Sequence, residues 1–325
     1  MKDLEFLVTL WPTFLHFERF AKDKRLSGIR LNSAMIKVDE LNDELEVAKK
    51  SDGSVPLYFD IKGRQLRVTD VSAYKDHLEI TLNHPIKVAT PTVVLFKAGA
   101  DYAKLKEVRG DNHLIFEGGP EFMVYEGESI HIRHPSLEVY GPLFVNHEIE
   151  KIQKAKTVGF DRFFLSYVQK QRDIDEFREY VGDSQVIAKI EDKRGLDYVA
   201  NEFRRQPNLN LMAARGDLFV EIDKPHDITS AMKLIIEKDP QGYVGSRLLL
   251  SLVNSPVPSC ADISDLAWLY DIGYRKMMLC DELCLKEPLL ARATNAFESF
   301  RQSYANEKAI EPFSIKKYFS RIIKN

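Results

Sequence analysis

The chain has 325 residues, 44% hydrophobic and 29% charged, which excludes a disordered polymer and leaves room for one large domain with an insertion. A net charge of −3 gives no electrostatic case for nucleic acid, and no run approaches the ~18 apolar residues that a membrane span needs. The opening "MKDLEFLVTLWP" is too short and too charged in its apolar part for a signal peptide, and three cysteines build no disulfide framework, so a reducing, cytoplasmic location is expected.

In chain order, short β-rich apolar runs alternate with helical patterns. The runs are "LEFLVTL" (4–10), "GIRLN" (28–32), "PLYFDI" (56–61), "RFFLSY" (162–167), "VIAKI" (186–190), "NLMAA" (210–214), "YVGSRLL" (243–249) and "KMMLC" (276–280). After the first, Phe14, Phe17 and Phe20 have helical spacing within Pro12–Leu26; after the second, Val38–Lys50 is amphipathic. Helices are further expected over Val145–Val158, Asp173–Val181, Leu196–Phe203, Asp227–Ile236, Ala261–Leu269 and Leu289–Tyr304, with Gly159, Gly182 and Gly273 as stops. A strand–helix unit repeated eight times reads as an α/β fold, a (β/α)8 TIM barrel. An open doubly wound sheet is the alternative, but no glycine-rich dinucleotide turn follows the first strand. Cys280 and Cys284 lack a His pair and read as buried or partly buried thiols. The closing "IEPFSIKKYFSRIIKN" is a basic amphipathic tail, expected to pack on the barrel rather than on a membrane.

Between the third and fourth runs the texture changes. Residues 68–137 alternate near period two with Gly, Asn, Asp and Pro punctuation, which predicts a small all-β domain inserted after strand 3. The barrel is then discontinuous, 1–67 and 138–325. An insertion at a strand's C-terminal end sits on the active-site face, where it can act as a lid that excludes water; an oligomerising or ornamental module is the alternative. His131 and His134 lie three apart, so a regular strand sends them to opposite faces, and they read as surface histidines.

Two runs end in charge. Period two points Lys189 and Glu191 the same way, at the end of the fifth run. Asp217 follows the sixth, next door. Two carboxylates with water and substrate oxygens suit Mg2+ or Mn2+. A buried Lys189 can face a transferring phosphoryl group or a developing enolate, and Gly216 gives a turn whose N–H groups can face an anion. The competing reading is structural: Lys189 paired with Glu191, and Arg215 with Asp217.

These stretches resemble the pyruvate kinase family. "VIAKIEDKRGLDYV" resembles its strand-five motif K-I-E-N-x-x-G, and "LMAARGDLFVEI" its strand-six motif M-V-A-R-G-D-L-G-x-E-I. "SGIRLNSAMI", "PLYFDIKGRQLRV" and "GFDRFFLSYVQKQRDIDEFREYVG" resemble further family segments in the same order, and "VTLWPT" sits where the family has C-T-I-G-P. The resemblance implies that Lys189 stabilises phosphoryl group and enolate, and that Glu191 and Asp217 hold the divalent metal. It implies that Arg30 contacts phosphate, that Arg67 lies on the nucleotide side, and that Ala214, Arg215 and Gly216 hold the substrate carboxylate. Ser246 falls at the hydroxyl near the protonated enolate carbon, and Pro12 borders the nucleotide. The implied substrates are phosphoenolpyruvate or pyruvate with ADP or ATP, and homo-oligomerisation stays open.

Departures cluster on one side. Of the K+ ligands implied by the resemblance, Asn32 and Asp60 remain, while Ala34 and Ile61 replace the two hydroxyls, and Gln65 stands at a nearby glutamate position. K+ is therefore doubtful. Met35 stands where the family has histidine, and Phe219 follows A-R-G-D-L. Trp11 replaces a glycine and is expected to narrow or stack over the purine site. Glu117 is a loose candidate for the family's catalytic lid residue. Set against the resemblance, a counterpart of the family's C-terminal regulatory domain, with its allosteric site and one interface, is not expected. Three readings remain: a divergent Mg2+-dependent phosphotransferase, a metal-dependent aldolase or lyase acting on a 2-oxo acid enolate, and a non-catalytic binding or regulatory protein.

Overall fold

A computed structural model describes residues 4–35, 38–50 and 54–305. Chain order runs β1 (Glu5–Thr9), α1 (Phe17–Ala21), β2 (Gly28–Asn32), α2 (Val38–Lys50) and β3 (Leu57–Ile61). The insertion follows with β4 (Val68–Ala73), β5 (His77–Leu82), β6 (Ile86–Lys87), β7 (Thr92–Phe96), β8 (Asp101–Arg109), β9 (His113–Glu117) and β10 (Glu138–Val139). The chain then continues through α3 (Asn146–Thr157), β11 (Arg162–Leu165), α4 (Gln171–Val181), β12 (Gln185–Ile190), α5 (Lys193–Asn201), β13 (Leu209–Ala214), α6 (Arg215–Glu221) and α7 (Asp227–Lys238). It closes with β14 (Tyr243–Gly245), α8 (Cys260–Asp271), β15 (Lys276–Met278), α9 (Asp281–Cys284) and α10 (Glu287–Phe300).

Eight parallel strands close in the order β1-β15-β14-β13-β12-β11-β3-β2, a (β/α)8 barrel as expected from the alternating runs. Alternation along each strand sorts the side chains. One set packs outward on the helices, as Val8, Ile29, Phe163, Val186 and Val244 do. The other fills the interior with Leu7, Tyr58, Phe164, Ile187, Met212, Tyr243 and Met278, all at most 6% exposed. Two residues further along, the same inward direction carries Thr9, Asp60, Ser166, Lys189 and Ala214. The apolar plug is thus the floor beneath a layer of polar groups.

Between β3 and α3, an antiparallel sheet runs β4-β5-β9-β8-β7 and a second pairs β10 with β6. It has its own core, including Ile80, Phe96, Leu105, Phe116, Ile130 and Ile132. The chain leaves the barrel through Gly63, whose φ of +51° and 2.7 Å clearance from the Ser166 carbonyl oxygen to a hypothetical Cβ admit no side chain without strain.

Three expectations need correction. The run 243–249 is strand only to Gly245, because Ser246, Arg247 and Leu249 turn left-handed at φ 67°, 58° and 54°; Leu248 and Leu249 go into the core instead. The pattern over Pro12–Leu26 yields helix only over Phe17–Ala21, since Phe14 and Phe17 close tighter turns on Trp11 and Phe14, and the His16 ring is tied to the Cys284 carbonyl. Arg215–Glu221 is a short helix, so Gly216 lies in its first turn rather than in a free turn. Cys280 and Cys284 are buried free thiols and Cys260 is an exposed one. Among the described residues no helix is long and apolar enough to cross a membrane. The basic tail 310–325 lies outside the described residues.

Candidate active site at the barrel–insertion seam

Lys189 ends β12 pointing inward, only 6% exposed. Its Nζ donates to Ser166 Oγ at 2.9 Å and pairs with Glu191 Oε1 at 2.9 Å, with Asp60 Oδ2 at 3.8 Å. Burial works against the ammonium, but Asp60 and Glu191 outweigh it and hold Lys189 above its ordinary value. Glu191 is 1% exposed, and its other oxygen accepts the Tyr167 N–H at 2.7 Å. Burial, with the Asp217 carboxylate beside it, pushes the Glu191 carboxyl up to about 7 against the pull of Lys189.

Asp60 anchors the opposite side. Arg30 Nε reaches its Oδ2 at 2.9 Å, Lys62 Nζ at 2.8 Å, and Ser166 donates to Oδ1 at 3.4 Å. Burial opposes its charge, yet Arg30, Lys189 and Lys62 hold Asp60 well below the usual carboxylate range. Burial in turn lowers Lys62 to about 7. Arg30 also donates to Thr9 Oγ1 at 3.1 Å and Asp281 Oδ1 at 2.7 Å; Asn32 Nδ2 donates to Asp281 Oδ2 at 2.9 Å.

Asp217, in the first turn of α6, has no lysine or arginine partner among the described residues: Gln65 Nε2 reaches Oδ2 at 3.3 Å, and His131 Nε2 stands 3.6 Å from Oδ1. Arg215 does not pair with it. The guanidinium forks onto Asp265 at 2.7 and 2.9 Å and takes the Ser246 carbonyl at 2.9 Å, tying β13 to the β14 loop. Gly216 faces Ser246, whose Oγ would stand 3.3 Å from a Cβ there. Ala214 is buried at the end of β13.

The surface reading of His131 is overturned: it is 1% exposed. Alternation places Ile130 and Ile132 in the insertion's core, so His131 and Arg133 face the barrel. His131 Nδ1 meets Glu221 Oε1 at 2.7 Å and the Tyr167 hydroxyl at 3.3 Å; Arg133 donates to the Ile222 carbonyl at 3.2 Å. Burial disfavours the imidazolium, but Glu221 and Asp217 raise its pKa. The Ile-His-Ile-Arg alternation was the available signal; spacing to His134 was the wrong comparison. His134 bonds Ser136 instead.

Of the nucleotide-side candidates, Asp60 lies within the Lys189 cluster and Arg67 borders it through Gln65, whose amide reaches Asp217. Arg67 donates to Gln65 Oε1 and to the Gly127 carbonyl. Pro12 is half-buried in a turn. Trp11 offers no stacking face: it is 1% exposed, and its indole N–H donates to the Asn32 carbonyl at 3.1 Å. Glu117 is exposed on β9 and pairs with Lys104. A cavity of about 290 Å3 opens along the seam, lined by Arg64, Tyr167, Asp192, Arg194 and Glu221 among others, beside the Lys189 cluster rather than on it.

Residues 126–284 match the family described as "Pyruvate kinase, barrel domain". A pyruvate kinase from Methanocaldococcus jannaschii is 26% identical over 311 residues, covering 90% of this chain and 67% of its own. One from Thermoplasma acidophilum is 26% identical over 304 residues, 84% of this chain and 53% of its own. Over most of its length this chain is similar to pyruvate kinases. A third pyruvate kinase, from Agrobacterium vitis, is 37% identical over 138 residues, 41% of this chain and 28% of its own. The chain therefore spans between about half and two thirds of the length of the Methanocaldococcus and Thermoplasma relatives.

The family's divalent metal can be tested against these residues. Among the described residues no three His, Cys, Asp or Glu side chains form a metal cage. Two carboxylates are nonetheless a sufficient protein share for Mg2+, which keeps several waters. The Asp217 charge raises the Glu191 carboxyl, and Asp217 has no lysine or arginine partner among the described residues, so the donor chemistry of the pair fits such a cation.

Proposed function

We propose that this chain catalyses pyruvate-kinase-type phosphoryl transfer between phosphoenolpyruvate and a nucleoside diphosphate. The observation that carries the reading is Lys189: an ammonium kept charged in a buried site, on the barrel face beneath the insertion, beside two mutually repelling carboxylates. Glu191 and Asp217 would hold Mg2+ or Mn2+, which when bound neutralises charge on phosphoryl and enolate oxygens.

The chain's own residues supply the rest. As the enol oxygen loses its phosphoryl group it gains negative charge, and the Lys189 ammonium meets that charge without reorganising, because Ser166 and Glu191 already fix it. Arg30 is oriented by Asp60 and paired also with Asp281, and would meet a phosphate oxygen as that second contact opens. The Arg215 fork holds the β13–α6 junction, where Ala214 and Gly216 would receive the substrate carboxylate. Ser246, whose Oγ lies near Gly216, would relay a proton toward the enolate carbon. The inserted sheet over these groups would act as a lid that excludes water.

The test is pyruvate formation from phosphoenolpyruvate with Mg2+ and ADP, wild type against Lys189→Met. Nucleotide- and Mg2+-dependent pyruvate that disappears in the variant is expected. If no pyruvate forms but pyruvate methyl protons exchange with solvent, dependent on Lys189 and a divalent ion, the site does enolate chemistry with another acceptor. Absence of both signals would overturn the enzymatic reading.

A further inference from the structure

We propose that the cavity along the seam between barrel and insertion is a second ligand site, for a small organic phosphate monoester, separate from the Lys189 cluster. Its occupant would clasp the insertion onto the loops after β11 and β12. The inference does not depend on the reaction proposed above.

Barrel and insertion build the cavity together. The loops after β11 and β12 give it Tyr167, Gln169 and Arg194; the segments that join barrel and insertion give it Arg64, Arg133 and Leu137. Its volume of about 290 Å3 lies at the lower edge of the roughly 300–1,000 Å3 usual for small-molecule sites, so the ligand is small.

Arg64 is the observation that carries the site. It is 8% exposed, and a guanidinium has five N–H donors. Among the described residues it makes one long hydrogen bond, to the Gly141 carbonyl at 3.4 Å. Asp173 Oδ1 stands 3.5 Å away and completes no hydrogen bond with it. A buried charge with most of its donors unmet is costly unless an anion meets them.

The surrounding charges leave a surplus of the same sign. Among the described residues, Arg133 and Arg194 bond only to backbone carbonyls, those of Ile222 and Leu137. Of the three lining carboxylates, Glu221 is matched by His131, and Asp192 is taken by the Gly195 N–H and the Gln169 amide. Asp197 remains, against three guanidiniums. Past the capping Asp192, the first turn of α5 carries Lys193 and Arg194 and no acidic residue. That is the reverse of what the helix dipole favours at an N-terminus, and an anion there would offset both cations.

Phosphate suits these groups because guanidiniums fork onto its oxygens, and a monoester carries close to two charges above about pH 7. The apolar part of the lining is Leu66, Ile130, Ile132, Leu137 and Val139, which a carbon body would cover and a bare phosphate would not. Tyr167 lines the cavity while its N–H holds Glu191, so an occupant would act on the Lys189 cluster through one residue.

The measurement is titration calorimetry of the full chain with phenyl phosphate, inorganic phosphate and benzoate at about pH 7.5, where the monoester is a dianion. Wild type should bind phenyl phosphate, and should bind the other two at least tenfold more weakly, one lacking the carbon body and the other the second charge. Arg64→Gln and Arg194→Ala should each raise the phenyl phosphate Kd at least tenfold, while Lys189→Met moves it less than twofold. Should Arg64→Gln fail to fold, the exposed Arg194 decides alone. A Kd that rises in Lys189→Met and ignores Arg194→Ala puts the ligand in the Lys189 cluster and overturns the inference. No binding overturns it too, as does inorganic phosphate or benzoate held as tightly as phenyl phosphate. None of these results measures pyruvate formation, so each leaves the proposed function to its own test.

Discussion

Lys189 is a single ammonium held by two carboxylates and a hydroxyl, and its removal has two separable effects. Lys189→Met should lower kcat/KM at least about 100-fold, the scale of one lost electrostatic stabiliser. It also strips Glu191 of its counter-ion, a loss that reaches about 3–5 kcal/mol when the remaining charge stays buried. Glu191 is already pushed up to about 7 in the wild type, and without Lys189 it rises further. A raised folded-state carboxyl favours the fold below its unfolded pKa and loses that contribution as pH rises through the folded value. Thermal melts should therefore show Lys189→Met more destabilised at pH 8 than at pH 6; equal losses would mean Glu191 finds another cation. K+ gives a second test at this scale. Both Asp60 oxygens and the Asn32 side chain are already taken by Arg30, Lys62, Ser166, Asp281 and the Ala34 N–H. Activity should be unchanged, within about twofold, when K+ is replaced by tetramethylammonium; a requirement for K+ would show that one of these bonds opens. Lys189, Glu191 and Asp217 were legible in sequence because strand alternation and two charged strand ends single them out. The partner of Arg215 was not, because Asp265 comes from α8, 50 residues away and visible only once the barrel closes.

Among the elements, the barrel strands were legible because each combines β-rich apolar content with a following helical pattern. What the sequence concealed were junctions governed by tertiary contacts: the left-handed turn after Gly245, the brevity of α1, and the docking of His131 on α6. The crossing into the insertion is where such a junction can be tested. Gly63→Ala combines a positive φ with a clash on the Ser166 carbonyl, and should cost about 1–3 kcal/mol in denaturant unfolding. An unchanged midpoint would show that the turn relaxes freely. Nearby, His84 is buried, with Nε2 donating to the Gly63 carbonyl at 2.9 Å. Burial holds its pKa below the ordinary 6.5. A depressed base supports the fold above its unfolded pKa, and that support is lost as pH falls toward the folded value. Acidification from pH 7 to pH 5 should thus destabilise wild type more than His84→Gln, whose amide can keep the Gly63 bond. Parallel pH profiles of melting temperature would contradict this.

At the scale of the whole molecule, barrel and insertion meet over one polar layer, where His131 contacts Glu221. Binding that is specific to the folded state stabilises it by mass action, about 2.7 kcal/mol at a hundredfold excess over Kd. The melting temperature should therefore climb with Mn2+ concentration in wild type and stay flat in Asp217→Asn. The account stands most directly on where the ion goes. Crystals soaked with Mn2+ and oxalate, an enolate mimic, should give an anomalous peak bridging Glu191 and Asp217, with oxalate oxygens on the ion and against Lys189 Nζ. An anomalous map without that peak, with Glu191 still closed on Lys189 and the Tyr167 N–H, would contradict it.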